Sequence, residues 1–236
     1  MPGLVSKRLE ALPSPTQEGI FFLQLRLNTL LSVIHFFIFD WIMAARVKID
    51  FENVYELEEV SSDLKLAGFY THLENGDDVL LNIRVSNDEH ELMPNVYNLS
   101  FGPLDRKGNI NDRAELAHLD YSKVFSTILL SAFTYLEQNT NHYLGVDGLD
   151  NNSAYFYYRS MMRNIDYLDK QFDIYGIKYF VRISRLGKAQ YDNPFDFEDI
   201  MIELYKIAPG HHISHDSMYN YFIFGLKHVA KNDLDF

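Results

Sequence analysis

Residues 153–172 read SAYFYYRSMMRNIDYLDKQF, and this stretch sets the layers of the fold. Placed on a helix at 100° per residue, Tyr158, Met161, Ile165, Leu168 and Phe172 share one face. Phe156, Arg159, Arg163, Tyr167 and Lys170 share the opposite face. A helix with one apolar stripe needs a surface on which to bury it. Strand-like segments flank the stretch and offer one: 143–146 (YLGV) before it and the alternating 177–184 (IKYFVRIS) after it. Ser153 is placed to cap the helix, because a serine hydroxyl can accept a hydrogen bond from an amide of the first turn.

Further upstream, 122–138 is predicted to be a second helix. Asp120 is its cap, and Phe125, Leu129, Ala132, Phe133 and Leu136 form its apolar face. Segment 45–52 (ARVKIDFE) reads as a short strand and 54–60 (VYELEEV) as a charged edge strand. Segments 69–73 and 79–85 form a hairpin about Asn75-Gly76-Asp77, since Asn-Gly supplies the positive φ that a tight turn requires. NDEH at 87–90 reads as a polar turn, and 96–101 (VYNLSF) as a strand ended by Gly102-Pro103. Downstream, Asn193-Pro194 and Pro209-Gly210 interrupt the chain. Segment 197–207 fits either helix or strand, and the aromatic-rich 217–226 is expected to pack back on the sheet. Strands followed by helices predict an α+β fold: an antiparallel sheet of about six strands with two main helices on one face.

The chain has 236 residues, enough for a substantial core. Its 47% hydrophobic and 23% charged residues are those of a globular domain. With 16 Tyr and 18 Phe against one Trp, the core must be built largely from rings, and many phenol hydroxyls need partners. A net charge of −12 opposes non-specific nucleic-acid binding by the whole surface. Residues 151–190 nevertheless carry seven cations against three anions, a local +4 that leaves −16 on the rest. There is no cysteine, so disulfides, thiol catalysis and Cys-based zinc sites are excluded, and a cytoplasmic location fits.

Residues 20–42 (IFFLQLRLNTLLSVIHFFIFDWI) match a membrane span in length but are interrupted by Gln24, Arg26, Asn28, His35 and Asp40. Residues 1–42 read as a non-native extension ahead of a natural start at Met43, as an apolar N-terminal anchor, or as an added helix. Residues 43–236 are expected to form a single α+β domain.

Tyr97-Asn98-Leu99-Ser100-Phe101-Gly102, then Gly108-Asn109-Ile110-Asn111-Asp112, then Asp120-Tyr121-Ser122-Lys123-Val124 opening a helix, resembles a family of uncharacterised bacterial proteins of the Bacteroidota type. The resemblance covers residues 54–184 and implies a small cytosolic domain of a kind often carried on mobile elements. Such relatives have a Gly-Ser-Thr stretch and an Arg where this chain reads GLDNNS at 148–153. The family brings no established activity.

Four groups of residues are candidate sites. On the outer helix face, Arg159 and Arg163 offer planar forks for phosphate or carboxylate, Phe156 and Tyr167 offer rings for stacking, and Lys170 adds charge. The bland alternative is that Asp166, Asp196 or Glu198 neutralises the arginines. Asp147, Asp150, Asn151 and Asn152 lie at a strand end before a helix, where carboxylates can hold a hard cation, although turn formation also explains them. His211, His212, His215 and Asp216 are the right residue types for zinc, but follow Pro209-Gly210 and lack an HExxH pattern. Residues 105–112 look faintly like a calcium loop without its alternating ligands.

No nucleophile elbow, Walker loop or dinucleotide fingerprint is present. The sequence therefore predicts a protein that binds rather than catalyses and needs no cofactor. Its expected role is an accessory of a mobile-element or defence locus that touches a protein partner through an aromatic-rich surface. Two alternatives stay open: nucleic-acid or nucleotide binding around Arg159 and Arg163, and metal-dependent hydrolysis at His211, His212, His215 and Asp216. Membrane contact is expected only if residues 20–42 are a genuine anchor.

Overall fold

The structure is a computed structural model that describes residues 47–114, 116–148, 150–183 and 195–227. The expectations for residues 1–42 and for Asn193-Pro194 lie outside these. Asn75-Gly76-Asp77 turns the chain between β2 (Leu66–His72) and β3 (Asp78–His90). Gly76 sits at φ 89°, a region that a Cβ disfavours. A two-residue edge strand, β1 (Glu59–Val60), pairs with β2, and β3 pairs with β4 (Met93–Gly102). The NDEH segment is strand rather than turn: register shifts on either side of Glu89 bend the hairpin, which reverses only at Glu91-Leu92.

Helix α1 (Tyr121–Gln138) starts where Asp120 Oδ1 accepts the Lys123 N–H at 2.9 Å. It carries the chain back to β5 (Tyr143–Asp147), which lies parallel to β4. Next come α2 (Asn151–Arg163), a single turn α3 (Ile165–Leu168), the hairpin β6 (Phe172–Ile183) and β7 (Phe195–Ile207), and finally β8 (Tyr221–Leu226). The sheet order is β1-β2-β3-β4-β5-β8-β6-β7. Among the described residues the architecture is α+β with one mixed eight-stranded sheet, in place of about six antiparallel strands, and three helices in place of two main ones. The added strands are β7, whose sequence also suited a helix, and β8. All six residues of β8 are buried, because it inserts between β5 and β6 with side chains covered on both faces.

The stripe predicted for α2 does face inward. Tyr158, Met161, Ile165, Leu168 and Phe172 join Val124, Ile128, Ala132 and Leu136 of α1 against Phe69, Leu81, Ile83, Leu99, Leu144, Phe222 and Phe224 of the sheet. The other face of the sheet has a smaller core of Met93, Val96, Tyr143, Ile177, Tyr221 and Ile223. His90 at the end of β3 bonds Tyr179 of β6 across this face, Nε2 to hydroxyl at 3.1 Å. Four strand spacings, about 19 Å in a flat sheet, separate β3 from β6. The contact therefore requires the sheet to curl and its bent hairpin to fold over.

The described part of the predicted first strand, from Val47 on, is no strand. It is a strap whose amides bond helix side chains: Lys48 N–H to Ser122 Oγ at 3.0 Å, Ile49 to Asn164 Oδ1 at 2.8 Å, Asp50 to Ser126 Oγ at 2.9 Å, and Tyr55 to Thr127 Oγ1 at 2.9 Å. Irregular backbone laid over a core needs such partners, since it has no ladder of its own. Among the described residues no helix is long and apolar enough to cross a membrane.

Candidate functional site

Asp150, not Ser153, caps α2: its Oδ1 accepts the amides of Asn152 at 2.9 Å and Ser153 at 2.8 Å. This capping role accounts for one of the carboxylates at the end of β5. Asn152 turns its Oδ1 to His215 Nε2 at 3.1 Å. At the other end stands Asn164. It is 7% exposed, and its amide group donates to the carbonyls of Val47 (3.0 Å) and Ser160 (2.8 Å) while accepting from Ile49. Asn164 interrupts the helix, yet the burial period runs on: Ile165 and Leu168 are buried while Tyr167 and Lys170 stay exposed.

The residues of the predicted outer face differ in their surroundings. Arg159 and Arg163 are exposed and make no hydrogen bond or ion pair with any described residue, Asp166, Asp196 and Glu198 included. Phe156 packs on Phe125 of α1 with ring centroids 5.7 Å apart, at the margin of the main core. Tyr167 stands edge-on to Phe51 at 5.4 Å and accepts the Phe51 N–H at 3.3 Å, so it holds the strap. Lys170 is exposed beyond α3. The cations share the surface with Tyr167, which is 36% exposed although its ring edge packs on Phe51, whereas Phe156 is half-buried against α1.

The histidine cluster is a clasp. The Tyr158 hydroxyl donates to the His211 carbonyl at 2.8 Å, which leaves its oxygen to accept from His211 Nδ1 at 3.2 Å. His211 Nε2 then accepts from the Tyr219 hydroxyl at 3.0 Å. Burial pushes the His211 pKa down, and the neutral ring ties the loop after β7 to α2. His212 is exposed, His215 stacks edge-on to Tyr155 at 5.2 Å, and the Asp216 side chain is almost fully exposed. Among the described residues, no three His, Asp or Glu side chains gather to hold a metal ion. The faint calcium loop is a turn: Asp105 Oδ1 accepts the amides of Lys107 at 2.7 Å and Asn109 at 2.9 Å.

Sequence reasoning missed the polar group on the sheet's smaller core. Tyr221 donates to Asn98 Oδ1 at 3.0 Å, Tyr179 meets His90, and the His90 and Tyr221 rings lie 5.3 Å apart. Burial raises the Tyr179 pKa to about 12 and that of Tyr221 further, so neither supplies a phenolate at neutral pH. Burial lowers His90, whose Nδ1 accepts the Leu92 amide at 3.1 Å. The hint in the sequence was Tyr at positions 175, 179 and 221, each two residues from an aliphatic residue of the same strand, Ile177 or Ile223.

The remaining feature is the β6–β7 arm. β8 pairs with β6 only over Phe172–Ile177, whereas β7 follows β6 out to Ile183. Beyond Ile177 the sheet is therefore a two-stranded ribbon. It exposes Phe180 (42%), Ile183 (51%), Phe197 (61%) and Met201 (56%), and Phe180 lies opposite Met201 in register. Arg182 pairs with Asp199 at 2.9 Å beside a local shift in pairing.

With this geometry in hand, the comparisons give a family but no activity. The chain belongs to the family of unknown function DUF6934, whose model matches residues 52–203. That range includes α2 and most of the arm, while the central strand β8 lies outside it. No curated protein and no solved structure matches the chain.

Proposed function

We propose that this protein is a binding protein and that it meets a protein partner through the β6–β7 arm. One observation carries this reading: four large apolar side chains, Phe180, Ile183, Phe197 and Met201, are 42% to 61% exposed on a ribbon that outruns the sheet. Side chains of this size, half exposed, present about 100 Å² each, with Phe180 and Met201 together on one face of the ribbon and Ile183 on the other. Apolar surface of this kind on a projecting element is stabilised by contact with another surface. The polar clusters favour binding over chemistry, because the His211 ring nitrogens and the His90 ring are spent on internal hydrogen bonds. The test is co-purification from native cells with wild type and with Phe197→Asp/Met201→Asp. Both positions are exposed, so the variant keeps its melting temperature and loses the partner. Retention of the same partner by the folded variant refutes the reading.

A second reading rests on Arg159 and Arg163, which are exposed without an acidic partner among the described residues. With Phe156 packed on α1 and Tyr167 held edge-on to Phe51, nucleic acid would be held there mainly by phosphate contacts. This predicts an affinity that falls steeply with salt and is lost in Arg159→Ala/Arg163→Ala. Unchanged binding by that variant eliminates it.

A further inference from the structure

A cavity of about 180 Å³ lies between α1 and the segment that leads through β1 into β2. One wall is a single face of α1, where Thr127, Leu130, Ser131 and Thr134 follow one another at helical spacing. The facing wall includes Leu57, Val60, Leu64 and Ala67. Leu57 is 36% exposed and Val60 49%, so the cavity reaches the surface beside them. Leu64 sits at φ 59°, in the left-handed region that suits Gly or Asn. Its N–H closes the turn on the Ser61 carbonyl at 3.0 Å. A leucine held there brings to the wall an apolar side chain that Gly or Asn would lack, and strained backbone of this kind gathers at ligand sites.

The hydroxyls on the helix wall are not equivalent. Thr127 donates to the Lys123 carbonyl at 2.7 Å and accepts the Tyr55 N–H at 2.9 Å, and Thr134 donates to the Leu130 carbonyl at 2.9 Å. Ser131 Oγ is buried and bonds no described residue. A buried hydroxyl without a partner is unfavourable, so a guest that offers it an acceptor gains that bond. The volume exceeds the roughly 150 Å³ of an apolar cavity that holds benzene, which leaves room for a ring and a few further atoms. Ser160 also has an unpartnered hydroxyl, but its cavity in the main core is about 60 Å³, too small for a ring. No charged residue lines the larger cavity, and the segment at its mouth carries Glu56, Glu58, Glu59 and Asp63 against Lys65, which repels an anion. We infer that this cavity binds a small, neutral, ring-sized apolar molecule whose one polar group is an acceptor for the Ser131 hydroxyl. The site adjoins the β1–β2 edge, at the opposite end of the sheet order from the β6–β7 arm, so the inference does not depend on the proposed partner surface.

The probes are acetophenone, a ring with one carbonyl; ethylbenzene, of nearly the same shape without the acceptor; and benzoate, a ring with a charge. NMR titration of the full chain reads both the affinity and the place of binding. Acetophenone is expected to bind, with amide shifts confined to residues 54–67 and 127–134, and benzoate is not. Ser131→Ala is expected to stay folded, because alanine suits a helix and removes the orphan hydroxyl. It should weaken acetophenone by about threefold to tenfold and leave ethylbenzene no weaker. No binding of either neutral ring, or shifts centred elsewhere, overturns the site. Loss of both rings alike in Ser131→Ala, or loss of neither, overturns the part given to its hydroxyl. Benzoate binding as tightly as acetophenone overturns the neutral class.

Discussion

Replacing Asn164 with alanine removes three hydrogen bonds at once: from Ile49 N–H at 2.8 Å, to the Val47 carbonyl at 3.0 Å, and to the Ser160 carbonyl at 2.8 Å. Ile49 is 5% exposed and Val47 1%, so two backbone groups of the strap would be left buried without partners. Each such group costs about 1–3 kcal/mol, and water entering beside the strap recovers part of it. The expected loss is about 2–4 kcal/mol, roughly 5–15 °C in Tm for a domain of this size. Urea denaturation measures the total, and amide exchange locates it. The amides of Ile49, Asp50 and Phe51 should lose protection well before those of β8. Asn164→Asp sharpens the test. It keeps an acceptor for Ile49 but sets a carboxylate oxygen against two carbonyls. Folding then favours the protonated acid, so the carboxyl pKa is raised in the native state. The deficit should be largest at neutral pH, shrink as pH falls through the raised native pKa while the acid regains a proton to donate, and level off below about pH 4, where both states are protonated. An alanine variant within about 0.5 kcal/mol of wild type, or strap amides that stay protected, would refute this role for Asn164.

His118 is 8% exposed, bonds Thr71 Oγ1 through Nδ1 at 3.2 Å, and has its pKa lowered by burial from 6.5 to about 4. Between those values the unfolded chain holds a proton that the native chain does not, so stability falls as pH falls through that window. The expected loss is on the order of 2–3 kcal/mol, and urea midpoints for wild type and His118→Leu should show a flatter acid limb in the variant. Gly145 leaves no room for a side chain, since a Cβ there would overlap the Tyr221 ring. Gly145→Ala should destabilise by about 3 kcal/mol, and Tyr221→Val in the same chain should recover part of that, which a double-mutant cycle reads. Arg159→Ala/Arg163→Ala should leave Tm essentially unchanged, within about 0.5 kcal/mol, because neither guanidinium bonds a described residue. A clear loss of stability would mean that they are structural.

The sequence by itself determined what local spacing encodes. Alternation and Asn-Gly chemistry mark the β2–β3 hairpin, Asp120 marks the start of α1, and a 3.6-residue period marks the inward stripe from Tyr158 to Phe172. These signals are readable because a side chain's face follows from its position in the repeat. Tertiary structure decided the rest. The strap meets Asn164 across 115 positions of chain where one predicted helix divides into two, and Phe51 of the strap engages Tyr167. Phe156 becomes a packing ring because α1 lies beside it, and His211 becomes a clasp because Tyr158 and Tyr219 reach it from two other elements. The place of β8 at the centre of the sheet and of β7 at its edge is likewise absent from their own composition. Period and capping are properties of neighbours in sequence, whereas a buried amide, a ring or a strand edge takes its role from whatever distant residue folding sets against it.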